Sequence, residues 1–219
     1  NDAGTDASLA PAEGIAALPL ANGGSYGIPS EYDCRACHEG APVPVLGFSA
    51  LQLSADRDPL APHAEPRGPR DPDLAELVEQ GLVRNLPEDL LKTPPRIQAD
   101  TAAGRAALGY LHANCGHCHA DPSASDAAVP VELQLAMDPS DPAAAEVVRR
   151  QLLETRSRYG RSDNQHAQVV VPGDAGDSVL LQRMRSRDPR VQMPPLGSVV
   201  PDVEALVLIE RWVNTELSN

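Results

Sequence analysis

The fold of this chain is decided by the stretch Asn114-Cys115-Gly116-His117-Cys118-His119. Its Cys-x-x-Cys-His spacing occurs a second time, at Cys34-Arg35-Ala36-Cys37-His38. The two copies contain all four cysteines of the 219-residue chain. Two cysteines three residues apart project from about one turn of backbone, and the next residue projects from the same side. Each motif therefore presents two sulfurs and one imidazole to a single group.

This spacing is typical of covalent haem attachment, in which the cysteines form thioethers to the two vinyl groups and the histidine binds the iron. We therefore predict two covalent haem c groups. The predicted attachment and ligand residues are Cys34, Cys37, His38, Cys115, Cys118 and His119. The alternatives are two disulfides or one four-cysteine zinc site. Zinc is disfavoured because residues 38–114 separate the pairs, against roughly 12 to 20 residues in compact sites. Both alternatives leave the two histidines without a role.

Composition restricts the class of protein and its partners. Eighteen basic against 31 acidic residues give a net charge of −13, which argues against nucleic acid and favours redox protein partners with basic docking surfaces. No stretch approaches the roughly 18 to 20 apolar residues of a transmembrane helix. Only six residues are aromatic, one Phe, one Trp and four Tyr. Two porphyrins would supply the buried apolar area that these rings usually provide.

The order of helix signals and prolines predicts three segments. Residues 1–24 are predicted to be a flexible leader or tether, with which a lipid anchor upstream of Asn1 would be compatible. Residues 25–99 form the first haem unit and residues 100–219 the second. We predict a mainly α fold class, with two small helical units and long Pro-rich loops, each unit wrapped around one covalent haem c. Helices are predicted over 32–38, 72–83, 101–118, 141–158, from Asp177 and over 202–217, with Val169–Val171 as the best strand candidate.

The sixth ligand of the first iron is the open question of the sequence. No methionine lies between the two motifs, so histidine is the local candidate. We favour His63, which lies in the loop just before the helix predicted at residue 72. Two alternatives stay open: His63 is an exposed loop residue, or His112, on the helix entering the second motif, is the ligand. His117 and His166 are interpreted as surface residues.

The second half of the chain resembles a class I cytochrome c domain. The resemblance extends from Gly104 to the C-terminus: a helix into Asn114–His119, a late Met193-Pro194-Pro195 loop and a final helix bearing Trp212. It implies that Met193 is the distal ligand of the second haem. A thioether is a soft, neutral iron ligand, which agrees with that role. Met137 and Met184 are interpreted as core residues.

The stretch from about Tyr26 to Leu217 also resembles an uncharacterised bacterial family of dihaem cytochrome-like domains. The resembling segments are Cys34–His38, Val45–Phe48, Gln52-Leu53, Tyr110–His119, Pro172–Asp174 and Met193–Leu196. This resemblance implies a fold and a cofactor but no particular reaction.

We therefore expect an electron carrier without catalytic residues, with a His/His first haem and a His/Met second haem. His/Met ligation gives the higher potential, so electrons would pass from the first haem to the second. One alternative is a peroxidase-like dihaem enzyme with an open first haem. Another is an electron-transfer module of a larger surface assembly. Haem attachment in the family takes place outside the bacterial cytoplasm, which implies a periplasmic or extracellular location.

Overall fold

The computed structural model describes residues 5–21, 24–40, 44–64, 66, 68, 70–123, 132–159 and 167–217. Within them the chain is mainly helical, as the sequence predicts. The elements are β1 (Ile15–Pro19), β2 (Ser25–Ile28), α1 (Glu31–His38), α2 (Leu74–Glu79), α3 (Asp89–Lys92), α4 (Ala102–Cys115), α5 (Ala144–Glu154), α6 (Val179–Arg185) and α7 (Val203–Thr215). None of these helices combines the length and the apolar character needed to cross a membrane.

An antiparallel hairpin of β1 and β2 precedes the helices, with Leu18 opposite Tyr26. No sequence pattern predicts this hairpin, and β1 falls within residues 1–24, the segment predicted to be a flexible leader or tether. The backbone at Gly14 lies close to the backbone at Ile28: a Cβ added at Gly14 would lie 2.4 Å from the Ile28 carbonyl oxygen. Val169–Val171, the predicted strand, forms no strand: Val171 takes part in an isolated bridge with Asp174, and Gln168, just before the segment, bridges Arg156.

Side-chain caps fix the first residues of four helices. Ser30 and Asp33 form a reciprocal capping box at α1, so this helix begins where the sequence predicts. The Thr101 side chain caps α4 by accepting the Gly104 N–H, and the Asp202 side chain caps α7 by accepting the Ala205 N–H. These ends are predictable because the cap and its partner are three residues apart.

Several helix boundaries differ from the prediction, among them those of α2, α5 and α6. α2 begins at Leu74, because Asp73 rather than Asp71 accepts the N–H of Glu76. It ends at Glu79, two residues before Gly81, whose φ of 70° is unfavourable for other residues. α5 begins at Ala144, because the Asp141 carboxylate accepts the Ala143 N–H and forms a turn instead. α6 begins at Val179 rather than at Asp177.

The hydrophobic core lies in the second half of the chain, where α4 packs against α7. Gly104 leaves room for the Thr101 cap, since a Cβ there would lie 2.9 Å from the Thr101 hydroxyl oxygen, and the same Cβ would be in ordinary contact with the Trp212 ring nitrogen at 3.4 Å. Met137 and Met184 are buried in this core, as predicted. Val147 on α5 is apolar and yet 38% exposed. The core positions the C-terminal end of α4, and with it the second motif.

The first motif has much less support from packing. None of the α1 residues is buried, and α2 buries only Leu74 and Leu77. The largest buried cluster among the described residues runs from Ala103 to Leu217 and includes nothing from α1 or α2. The chain before residue 97 therefore has little protein core of its own.

Candidate haem attachment sites

The first motif lies on α1, which ends at His38. Cys34, Cys37 and His38 occupy positions i, i+3 and i+4, so they share one side of the helix. Cys34 is exposed and Cys37 is half-buried. The Nδ1 atom of His38 lies 2.9 Å from the carbonyl oxygen of Pro44. The loop after the helix thus fixes the plane of the imidazole.

The second motif begins at the last residue of α4 and continues as a tight turn. The His119 N–H donates to the Cys115 carbonyl over 2.8 Å, which keeps the helical sense through the motif. Gly116 is required by packing: a Cβ there would lie 2.5 Å from the His112 carbonyl oxygen and 3.1 Å from Ala136 Cα. Burial raises the pKa of the Cys115 thiol to about 12.

Residues 133–137 hold the second motif in place from outside it. The His119 carbonyl accepts the Leu135 N–H over 2.7 Å, and the His119 Nδ1 atom lies 2.9 Å from the Leu133 carbonyl oxygen. Gln134 N–H donates to the Gln151 side chain on α5 over 3.0 Å. This segment therefore couples the imidazole of His119 to α5.

Both motif histidines have the tautomer that iron ligation requires. A carbonyl oxygen only accepts hydrogen bonds, so Nδ1 carries the proton in His38 and in His119. The lone pair of Nε2 is then available for a metal, and a carbonyl partner for the other ring nitrogen is typical of metal-bound histidine. Burial also lowers the pKa of His119, which keeps the ring neutral. The donor set fits haem c at both motifs.

The structure brings the second cysteine of each motif together. Cys37 Sγ lies 3.1 Å from Cys118 Sγ, and a ring nitrogen of His117 lies within 4.8 Å of both sulfurs. A hydrogen bond from the Cys118 thiol, followed by one from His117, lowers the pKa of Cys37 to about 5, and the pKa of Cys118 is raised correspondingly. The structure thus differs from the interpretation of His117 as a surface residue.

This cluster also bears on the zinc alternative. Among the described residues it is the single group of three or more His, Cys, Asp or Glu ligand atoms within 4.8 Å of one another. It consists of one cysteine from each motif and of His117, which lies inside the second cysteine pair and not after it. The four-cysteine arrangement considered from the sequence is therefore not assembled in this part of the chain.

His63, the predicted sixth ligand of the first iron, lies beside the N-terminus of α7. Its Nε2 atom is 2.9 Å from Asp202 Oδ2, its backbone N–H donates to Glu204, and its side chain is 59% exposed. A carboxylate only accepts, so Nε2 carries a proton. His63 would have to leave Asp202 to bind iron, and its assignment as a ligand stays a prediction.

His112, the alternative ligand, has the opposite tautomer to the motif histidines. Its Nδ1 atom accepts the Met137 N–H over 3.0 Å, so Nε2 carries the proton of the neutral ring and lies 3.5 Å from Ser49 Oγ. Burial lowers its pKa. This arrangement leaves no lone pair on Nε2 for a metal. His166 lies outside the described residues.

Met193 is half-buried in the loop that follows α6. Its N–H donates to the Arg183 carbonyl over 3.0 Å, and Arg183 Nε donates to the Val191 carbonyl over 2.7 Å. The Arg183 guanidinium also lies 3.9 Å from the centre of the Tyr159 ring. Its positive charge further lowers the pKa of His119, after burial as the main cause. Arg183 therefore interacts with both the Met193 loop and the second motif.

A cleft of about 420 Å³ separates the loop after the first motif from α4. Two arginines that line the cleft are paired with carboxylates: Arg105 Nε lies 3.0 Å from Asp58, and Arg96 lies 3.3 Å from Asp56. Residues of both predicted units line this cleft.

Comparison with models of known protein families gives a match to part of the chain. A model of the family described as Planctomycete cytochrome C matches residues 152–197. The match supports a c-type cytochrome. A cytochrome c family implies covalently bound haem c as its cofactor and electron transfer as its activity. The matched segment includes α6 and the Met193 loop and lies after both Cys-x-x-Cys-His motifs. No curated protein and no solved structure matches the chain significantly.

Proposed function

We propose that this chain is a dihaem c-type cytochrome that transfers electrons, with one haem attached at each motif. The observation that carries the proposal is the repeated hydrogen bond: His38 and His119 each place Nδ1 2.9 Å from a backbone carbonyl oxygen. Cysteines alone, in a disulfide or a zinc site, would not require either ring to be oriented in this way. Bound haem supplies a one-electron change between ferric and ferrous iron.

The protein residues have distinct roles in this proposal. The four cysteines hold the two groups, and His38 and His119 supply the proximal nitrogens. Met193 is proposed as the distal ligand of the second haem. Two observations support this role for Met193. The family match covers the Met193 loop, and the Met193 N–H donates to the carbonyl of Arg183, whose positive charge lowers the pKa of His119. His63 is proposed for the first haem, which then has the lower potential.

Haem counting tests the proposal directly. The purified chain should contain two haems, measured by the pyridine haemochrome assay and by intact mass. The double variants Cys34→Ser/Cys37→Ser and Cys115→Ser/Cys118→Ser should each retain one, and they serve as controls for each other. Two disulfides, or stoichiometric zinc without haem, would refute the proposal.

A second candidate function is a redox enzyme with an open first haem, and the positions of the described histidines favour it. His63 Nε2 is bonded to Asp202, His112 Nδ1 accepts a backbone N–H, and His117 lies beside two sulfurs. In these positions each of the three rings has a protein partner or neighbour, so none is yet assigned to the first iron. Carbon monoxide binding by the reduced protein and a high-spin ferric signal in electron paramagnetic resonance would support the enzyme. A fully low-spin spectrum that loses one component in His63→Ala would support the carrier.

We propose a periplasmic or extracellular location, because covalent haem attachment in the resembling families takes place outside the bacterial cytoplasm. The net charge of −13 supports redox partners with basic docking surfaces. Electron exchange with such a partner should slow as ionic strength rises. Fractionation of the source cells tests the location.

A further inference from the structure

His117 belongs to the second motif by sequence, yet it lies next to a sulfur of the first. Its ring nitrogen is within 4.8 Å of Cys37 Sγ as well as Cys118 Sγ. The two sulfurs are themselves 3.1 Å apart, although 81 residues separate them along the chain. The contact therefore exists only because the C-terminal end of α1 meets the turn after α4.

The contact places a possible hydrogen-bond donor, the imidazole of His117, beside a soft acceptor, the sulfur of Cys37. An imidazole N–H can donate to sulfur, and a thioether sulfur remains a weak acceptor after haem attachment. Hydrogen bonds around a haem are one of the means by which a protein sets its potential.

We propose that His117 is a positioning residue for the first haem: it donates an N–H to the Cys37 sulfur and raises the potential of the haem attached there. The partial positive charge of the donor favours the more electron-rich ferrous state. The first motif offers no equivalent, because the matching position is Ala36. This inference rests on the proposed dihaem function and adds an influence of one motif on the haem of the other.

Potentiometric titration of the haem-loaded protein tests it. His117→Leu and His117→Phe remove the donor, and Phe keeps the ring bulk. Both should lower the midpoint of the first haem and move that of the second less. The variant Cys34→Ser/Cys37→Ser, which retains the second haem alone, identifies the second transition. Asn114→Leu is the matched control, because Asn114 flanks the second motif, is exposed, and bonds only the Tyr110 carbonyl.

The outcomes separate this inference from the proposed function. If only the second midpoint moves, or both move equally, the role of His117 is refuted while two haems per chain still uphold the function. If a His117 variant loses a haem, mass spectrometry decides: loss of the haem at Cys37 supports the contact, and loss of that at Cys118 alone refutes it. A wild-type chain with fewer than two haems refutes the function itself.

Discussion

The carbonyl oxygen of Leu133 lies 2.9 Å from the Nδ1 atom of His119, a residue fourteen positions earlier in the chain. The orientation of the second motif's imidazole is therefore set by a backbone segment outside the motif. That segment is anchored to α5 by one bond, from Gln134 N–H to the Gln151 side chain over 3.0 Å.

Gln151→Ala should loosen this anchor. We expect a loss of about 0.5 to 1.5 kcal/mol in the free energy of unfolding, the usual net value of one hydrogen bond. The midpoint of the second haem should also shift, while that of the first stays. Arg150→Ala is the control, since Arg150 is the exposed neighbour on α5. Urea unfolding and redox titration measure both effects, and equal behaviour of the two variants would contradict the role of the anchor.

Two glycines near the second motif should respond to alanine in opposite ways. At Gly116 the new Cβ would meet the His112 carbonyl oxygen at 2.5 Å, so Gly116→Ala should destabilise the chain and reduce haem attachment at Cys115 and Cys118. At Gly109 the nearest atom is Ile97 Cγ1 at 3.8 Å. Gly109→Ala, inside α4, should stabilise by about 0.5 to 1 kcal/mol. Thermal unfolding and haem content measure the pair; a tolerated Gly116→Ala would show that residues 135–137 move aside.

Substitutions of Met193 and Met184 distinguish a role in iron ligation from a role in core packing. Met193→Ala should lower the midpoint of the second haem, because a thioether ligand favours ferrous iron. Met184 is buried at 8% exposure in the core. Met184→Ala should therefore cost about 2 to 5 kcal/mol of unfolding free energy and leave the ferric spectrum unchanged. An unchanged potential in Met193→Ala would remove Met193 from the ligand set.

Asp202 joins three elements through one carboxylate. It caps α7 by accepting the Ala205 N–H, and it accepts the Tyr110 hydroxyl over 3.0 Å and bonds His63. Asp202→Ala removes the cap, which alone costs about 0.5 to 2 kcal/mol, and leaves the half-buried hydroxyl of Tyr110 unpaired. Tyr110→Phe removes one bond and should cost less. Urea unfolding ranks the two variants, and a larger effect of Tyr110→Phe would contradict this reading of the cap.

His112 should make stability depend on pH. Burial lowers its pKa below the usual value of about 6.5, and its Nδ1 must be unprotonated to accept the Met137 N–H. The unfolded chain binds more protons, so this contribution is present above about pH 6.5 and is lost as pH falls through the folded pKa. The stability difference between wild type and His112→Gln should shrink from pH 7.5 to pH 5. A constant difference would mean that His112 does not titrate in this range.

The amino-acid sequence alone determined the local features of this protein. Ser30, Thr101 and Asp202 are residue types that favour the start of a helix. The two Cys-x-x-Cys-His motifs are visible because their members are three or four residues apart. Such neighbours meet on one turn of helix whatever the rest of the chain does. The burial of Met137 and Met184 was likewise predictable from their apolar patterns.

Which distant groups meet depends on the tertiary structure. The carbonyls of Pro44 and Leu133 have no side-chain signature, so nothing in the sequence pointed to them as partners of His38 and His119. Cys37 and Cys118 meet across 81 residues, and His63 meets Asp202 across 139. These contacts depend on how whole elements pack, and that packing assigns His117 to a sulfur of the other motif.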